Sequence, residues 1–288
     1  MTICVARRTT ELRAFAAPYD WSAVAPVLAA EYRRVLARQS GRGRTLGSRS
    51  GTLRKTRKLL RLLRSRNYRV ALRHGVAATI EHETVPFEHD HRSVIDVGAH
   101  QGQFSLFASV RFPRAALWAI EPLPEPRARL ERVLARHPAL TVIPVAASHT
   151  RGSAPFHVSH ATDSSSLLES TDANIQAFPG TEEAHVIEVR TAPLDELLDP
   201  TDLVRPCLLK IDVQGGELDV LLGAERTLRH VDEALIECSF VELYRGQALA
   251  GHVVSQMSEH GFHLAGAHAV ARDAGGRRLQ ADLLFRRR

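Results

Sequence analysis

Val94-Ile95-Asp96-Val97-Gly98-Ala99-His100-Gln101-Gly102-Gln103-Phe104 is the stretch that decides the fold. A short apolar run ends in glycine and passes at once into a segment with helical character, the pattern of a buried strand feeding a helix. Gly98 lets the chain turn where a Cβ would clash, and Gly102 lets a ligand or a strand approach the start of the helix. The first N–H groups of that helix lack intrahelical partners and face whatever sits above the strand. The spacing Gly-x-x-x-Gly is not the GxGxxG of a dinucleotide site, and no Lys-Ser/Thr follows, as a phosphate-gripping loop would need.

The same alternation continues outward. SVIDV precedes a helical stretch over 103–110, ALWAIE precedes 125–136, and LTVIPVA follows. CLLKIDV then precedes 217–228, and EALIECSF precedes 247–260. Strands separated by helices predict an α/β fold with a mostly parallel sheet and helices on both faces. GFHLAGAHAV and RRLQADLLFRR, joined around Asp273-Ala274-Gly275-Gly276, predict a closing antiparallel hairpin.

Glu121 ends the second strand, where a carboxylate can accept both hydroxyls of a ribose. Asp96 stands before the glycine turn, where it would repel a pyrophosphate and suit a positive amino group. An adenosine bearing a cationic, amino-acid-carrying sulfur meets these conditions, which points to S-adenosylmethionine. The bland alternative is an ordinary strand-to-helix turn with an incidental glutamate.

Leu208-Leu209-Lys210-Ile211-Asp212-Val213-Gln214-Gly215-Gly216-Glu217 is the second unusual segment. In a strand, Lys210 and Asp212 point to one face. A lysine among apolar neighbours is costly unless paired, and Asp212 and Glu217 are the nearest carboxylates. Either this is a catalytic or substrate-gripping group at the carboxyl ends of the strands, or it is a buried ion pair with a helix cap.

These segments, with AIEPLPEP (119–126), DSSSLL (163–168), LLKIDVQGGELDVLLGAE (208–225), IECSFVELYRGQ (236–247) and QADLLF (280–285), resemble the FkbM family of S-adenosylmethionine-dependent methyltransferases in the same order over about 80–288. The resemblance implies a class I methyltransferase, Rossmann-like fold and O-methylation of a hydroxyl on a sugar, glycolipid or polyketide-type natural product. It places Asp96, Gly98 and Gly102 at the methionine end and Glu121 at the ribose. Val97, Ala99, His100, Phe104, Pro122 and Ala146 complete the implied cofactor set, Phe104 as a support of the loop. Asp163, Ser164, Ser165, Ser166 and the segment from Lys210 to Glu217 would border the pocket. The family often carries Asn at the position of His100 and a bulkier residue at that of Gly216.

A hydroxyl is a poor nucleophile while protonated, so a base or a group that orients it is needed. Asp212 is the first candidate, with Lys210 tuning it and Asp163 in reserve; Ser164, Ser165, Ser166 and Glu217 are candidate substrate contacts. His157 and His160, near the serine loop, are secondary candidates for moving a proton. No metal is expected: His82, His89 and His91, with Glu83, Glu88 and Asp90, lack regular ligand spacing and read as a solvated connection.

Length and composition fit one large domain with an extension: 288 residues, 44% hydrophobic and 24% charged. Residues 1–51 read as an irregular extension, 52–92 as a basic helical lead-in, and 93–288 as the catalytic domain. Residues 1–75 hold 18 Lys+Arg against 3 Asp+Glu, whereas the remainder is mildly acidic. The basic arm suits an anionic membrane surface or simple packing on the domain. It also keeps open an RNA methyltransferase, although the acidic body argues against nucleic acid. A nicotinamide oxidoreductase and a glycan-binding relative without turnover are the other rivals. Cys4, Cys207 and Cys238 form no CxxC and suit a reducing compartment, and no apolar stretch is long enough to span a bilayer, so a cytoplasmic location is expected.

Overall fold

The structure is a computed structural model that describes residues 74–288 together with Tyr68 and Ala71. Residues 1–51 and most of the basic lead-in therefore lie outside the described residues.

Ten strands run in chain order: β1 (Ser93–Val97), β2 (Ala116–Ile120), β3 (Leu140–Ile143), β4 (Ala146–Ala147), β5 (Gly152–Ser159), β6 (Glu183–Ala192), β7 (Cys207–Ile211), β8 (Glu233–Ser239), β9 (Phe262–Arg272) and β10 (Arg278–Arg287). The α-helices are α1 (Gln103–Arg111), α2 (Pro124–Val133), α3 (Asp172–Ala177), α4 (Leu194–Leu197), α5 (Glu217–Leu222), α6 (Glu225–Leu228) and α7 (Ala250–Glu259). The main sheet has the order β3-β2-β1-β7-β8-β10-β9. Its first five strands are parallel, and β10 and β9 close it as the expected antiparallel hairpin.

Period-two alternation divides the core. Ile95, Val97, Leu209, Ile211 and Ile236 enter one buried cluster, with α5 and α7 over it. Val94, Leu208, Leu235 and Leu284 enter the other, with Phe104 and Phe107 of α1. Register puts Asp96 opposite Lys210, and Asp282 opposite Glu237. The second face thus carries a polar row at the carboxyl ends of its strands, above an apolar floor.

Sequence and structure part at three places. LTVIPVA is two strands, because the chain leaves the main sheet after Ile143 and β4 pairs with β6. The helical stretch over 217–228 breaks into α5 and α6 at Gly223, where a Cβ would lie 2.5 Å from the Ser148 carbonyl oxygen. The 153–186 region, to which the sequence pattern assigned no strand, contains much of a small sheet of order β4-β6-β5. Phe156, Val158 and Val189 fill its inner side against Leu123 and Ala146.

Two of the three lead-in histidines, His82 and His91, are buried rather than solvated, whereas His89 is exposed. His82 Nε2 lies 3.1 Å from Asp282 Oδ2, and His91 Nε2 lies 3.0 Å from Glu233 Oε2, with both members of the second pair fully buried. Folding brings these carboxylates from β10 and β8, which local spacing does not reveal. Among the described residues no group of three or more His, Cys, Asp or Glu side chains could hold a metal ion. No helix among them is long and apolar enough to cross a membrane.

Gly98 is the tightest point of the fold. Its φ is +81°, and a Cβ there would meet the Asp212 carbonyl oxygen at 1.9 Å. Gly246 has a similar φ, +75°, but open space around it. Gly98→Ala is expected to lower stability by about 3 kcal/mol, at the upper end of single substitutions. Gly246→Ala should cost only the left-handed backbone, about 1 kcal/mol. Urea unfolding of both variants checks the contrast; equal losses would show that contact with Asp212 is not what fixes Gly98.

Candidate active site

Two cavities open above the carboxyl ends of β1, β2 and β7. The larger, 520 Å³, is lined by Val97, Gly98, Glu121, Pro122 and Ala146, with Leu123, Val145, Leu218 and Leu222 adding apolar wall. The smaller, 290 Å³, is lined by Asp96, Ala99, Phe104, Lys210 and Ser164, together with Glu237, Gln280 and Tyr244. Gly98, His100, Asp163, Asp212 and Gln214 border both. An open parallel sheet places ligands at such a crevice, where strand order reverses on either side of its first strand.

Glu121 shapes the larger cavity. It is 4% exposed, and its Oε2 accepts the His100 N–H at 2.8 Å while Oε1 accepts the Leu123 N–H at 2.7 Å. Burial pushes its carboxyl up to about 7 against those two bonds. Each oxygen keeps a lone pair for a further donor. Its neighbour in sequence terms, Asp96, belongs to the other side. Ser105 Oγ donates to it at 2.6 Å, and burial lifts its carboxyl to about 6.

Lys210 anchors the smaller cavity. Its side chain is 3% exposed, and Nζ lies 3.3 Å from Asp212 Oδ2, 3.6 Å from Asp282 Oδ1 and 3.3 Å from the Ile211 carbonyl oxygen. Burial alone would favour the neutral amine, but Asp212, Asp282, Glu237 and Asp96 outweigh it and hold the ammonium charged. Lys210, with His82, in turn holds Asp282 down to about 2 despite burial. Asp212 remains partly exposed at the mouth shared by both cavities.

Gln214 links the carboxylates. Its Nε2 donates to Asp212 Oδ1 at 2.7 Å and to Glu237 Oε2 at 2.9 Å, and Tyr244 Oη donates to its Oε1 at 2.8 Å. Gln280 Nε2 donates to Glu237 from the other side at 2.9 Å. Burial, with Asp212 and Asp282 nearby, pushes the Glu237 carboxyl well up. Gln214 has φ +56° and His100 has φ +46°, left-handed values rare outside glycine that cluster at functional sites. His100 Nε2 lies 2.9 Å from Thr162 Oγ1, which ties the turn carrying Asp163 to the glycine loop. Sequence reading missed Glu237, Tyr244 and Gln280, and it placed Gln214 only within the segment bordering the pocket. The usable signal was a glutamate within the apolar run EALIECS.

Gly102, Ser166 and Glu217, placed at the site by the sequence, line neither cavity. A Cβ at Gly102 would meet Leu130 Cγ at 2.9 Å, so this glycine serves the packing of α2 on α1. Ser166 is buried and donates to the Gln214 carbonyl oxygen at 2.7 Å. Glu217 is 3% exposed, and its Oε1 accepts the Gly215 N–H at 2.9 Å and the Val213 N–H at 3.4 Å. Ser165 lines the larger cavity. His157 pairs with Glu183 on the small sheet, and neither it nor His160 reaches a cavity wall.

A seven-stranded sheet of this order, with an acidic second-strand end and a cavity over a glycine turn, defines the class I methyltransferase. The chain belongs to the FkbM methyltransferase family: the Methyltransferase FkbM domain matches residues 96–264. It is 30% identical over 192 residues to 31-O-demethyl-FK506 methyltransferase FkbM of Streptomyces tacrolimicus, covering 59% of this chain and 72% of that one. It is 29% identical over 161 residues to 2-O-methyltransferase NoeI of Sinorhizobium fredii, covering 54% and 66%. AMB antimetabolite synthetase AmbE of Pseudomonas aeruginosa is 31% identical over 205 residues, 59% of this chain but only 9% of the synthetase.

Glu217 supplies a pH signature. Burial pushes its carboxyl from 4.5 up to about 7, so between these values the folded state holds a proton that the unfolded chain has released. Its contribution favours folding below about pH 4.5 and is lost as pH rises through about 7. Glu217→Gln keeps the oxygen that accepts both N–H groups and removes the titration. Unfolding free energy measured from pH 5 to 8 should fall less steeply in the variant than in the parent, by on the order of 1 kcal/mol or more across the window. Parallel curves would show that Glu217 does not carry that proton.

Proposed function

We propose that this protein is an S-adenosylmethionine-dependent methyltransferase that methylates a hydroxyl of a sugar, glycolipid or natural product. The observation that carries the reading is the meeting of a half-apolar, nucleoside-sized cavity with a polar one at Asp212. NoeI is named a 2-O-methyltransferase and FkbM of S. tacrolimicus a 31-O-demethyl-FK506 methyltransferase, and both names support hydroxyl as the acceptor atom.

The residues present fit the cofactor. Glu121 offers oxygen lone pairs for the ribose, and Leu123, Val145, Ala146, Leu218 and Leu222 give apolar wall for a purine. Gly98 lets the Asp212 backbone pack directly on the glycine turn, which fixes the floor where the two cavities meet. When bound, S-adenosylmethionine supplies a methyl group already activated on sulfur.

The protein then has to position an oxygen and manage its proton. Asp212 sits at the shared mouth and accepts the acceptor O–H at a carboxylate oxygen, taking the proton as the oxygen becomes nucleophilic. Gln214 fixes Oδ1, and Lys210 stabilises the charge at Oδ2. Asp163 borders both cavities and is the second carboxylate within reach of an acceptor.

Calorimetric titration with S-adenosylhomocysteine is the test, with NADH as comparison. Micromolar binding of S-adenosylhomocysteine alone is expected. Glu121→Ala should weaken it at least tenfold, about 1.4 kcal/mol. Asp212→Asn should leave that affinity within a few-fold and abolish methyl transfer once an acceptor is supplied. Absence of binding by folded protein would overturn the assignment.

A further inference from the structure

The smaller cavity is a charge filter, and its lining specifies what part of an acceptor can enter. Four carboxyl groups line it: Asp96, Asp163, Asp212 and Glu237. Among the described residues the only lysine or arginine on its wall is Lys210. That ammonium donates to Asp212 and the Ile211 carbonyl and is ion-paired with Asp282, so two carboxylates of the protein already balance its charge. His82 Nε2 faces Asp282, and burial lowers the proton affinity of His100, so neither ring supplies a free cation to a guest.

The remaining wall is rich in neutral hydrogen-bonding groups. Gln103, Asn174, Thr181, Gln214 and Gln280 all reach it. Two polar atoms of lining residues, Thr79 Oγ1 and His82 Nδ1, are shut from water with no partner. His82 as a whole is 8% exposed. Unpaired buried polar atoms are uncommon, and on a cavity wall they call for a guest that can both donate and accept. A volume of 290 Å³ stands at the small end of ligand sites, enough for one ring rather than a chain.

We infer that this cavity receives an uncharged, polyhydroxylated ring of the acceptor and rejects rings carrying a carboxylate or phosphate. An anionic ring would meet the carboxylates of Asp163 and Asp212 in a partly desolvated space whose one ammonium is already paired, the arrangement that discriminates by repulsion. Vicinal hydroxyls suit the same wall, since each can donate to a carboxylate oxygen and accept from an amide. The inference rests on the methyltransferase reading for its biological sense, because the ring so held lies beside Asp212 at the mouth of the larger cavity.

Saturation-transfer NMR and calorimetry with a matched panel test it. The panel holds the methyl glycosides of glucose, galactose, mannose and rhamnose, with glucuronate, galacturonate and glucose 6-phosphate as anionic counterparts. It is run with and without saturating S-adenosylhomocysteine. At least one neutral glycoside should bind, at least tenfold more tightly than its anionic counterpart, and Asp163→Asn should narrow that gap. Equal or tighter binding of an anionic sugar would overturn the inference, and so would silence from every neutral glycoside. The titration of S-adenosylhomocysteine reports separately on the methyltransferase reading, so a failure there is distinguishable from a failure of the charge filter.

Discussion

The buried ammonium of Lys210 is the constraint on which the smaller cavity of this protein depends. A charge removed from water costs several kcal/mol unless its environment replaces the lost solvation. Here the replacement comes from three parts of the chain: Asp212 just beyond the same strand, Asp282 from β10 and the backbone of Ile211. Asp282 is in turn held by His82. The antiparallel hairpin that closes the sheet therefore does more than cover an edge. It brings the carboxylate without which Lys210 would lose half of its pairing. The lead-in segment that carries His82 is tied to the same group.

From that anchor the rest of the polar row follows. The ammonium pairs with Asp212 Oδ2, and Gln214 holds the other carboxylate oxygen, so the side chain is fixed at the mouth of both cavities. Glu237 lies between Asp212 and Asp282 and is pushed toward its protonated form by them. Gln214 and Gln280 hold it from both sides. Two left-handed residues, Gln214 and His100, stand at the boundary of the cavities. Backbone in that region persists only where neighbours over-determine it, and here Tyr244, Ser166 and Thr162 supply the contacts. Rigidity is concentrated where an oxygen would have to be aimed.

The main sheet was legible because its signal is local. A glycine turn, apolar runs of strand length and intervening helices can each be read within a dozen residues. The pairing of Lys210 with Asp212 was legible for the same reason, being two residues apart on one strand face. The small sheet was less so. Its alternation over Phe156, Val158, Ile187 and Val189 is short, and its partners are separated by a polar excursion. What spacing could not show was long-range charge matching: His82 with Asp282, and His91 with Glu233, 142 residues apart in sequence. Histidines and acids crowded into one segment looked like surface chemistry because their partners were still far along the chain. Gly102 shows the converse error of scale. A glycine at a helix start invites a ligand reading, yet the space it leaves is taken by Leu130 of α2.

The two cavities differ in what makes their walls. The larger is floored by the backbone of a glycine turn and by side chains from strand ends, positions set by sheet register. A substitution there disturbs the fold, as the 1.9 Å approach at Gly98 makes plain. The smaller draws much of its wall from segments outside the parallel strands: α3 through Asn174, the turns holding Asp163 and Thr181, and Gln280 near the start of β10. Such segments tolerate change because little of the core rests on them. The charge of the smaller cavity can therefore be altered residue by residue while the sheet and the larger cavity stay fixed.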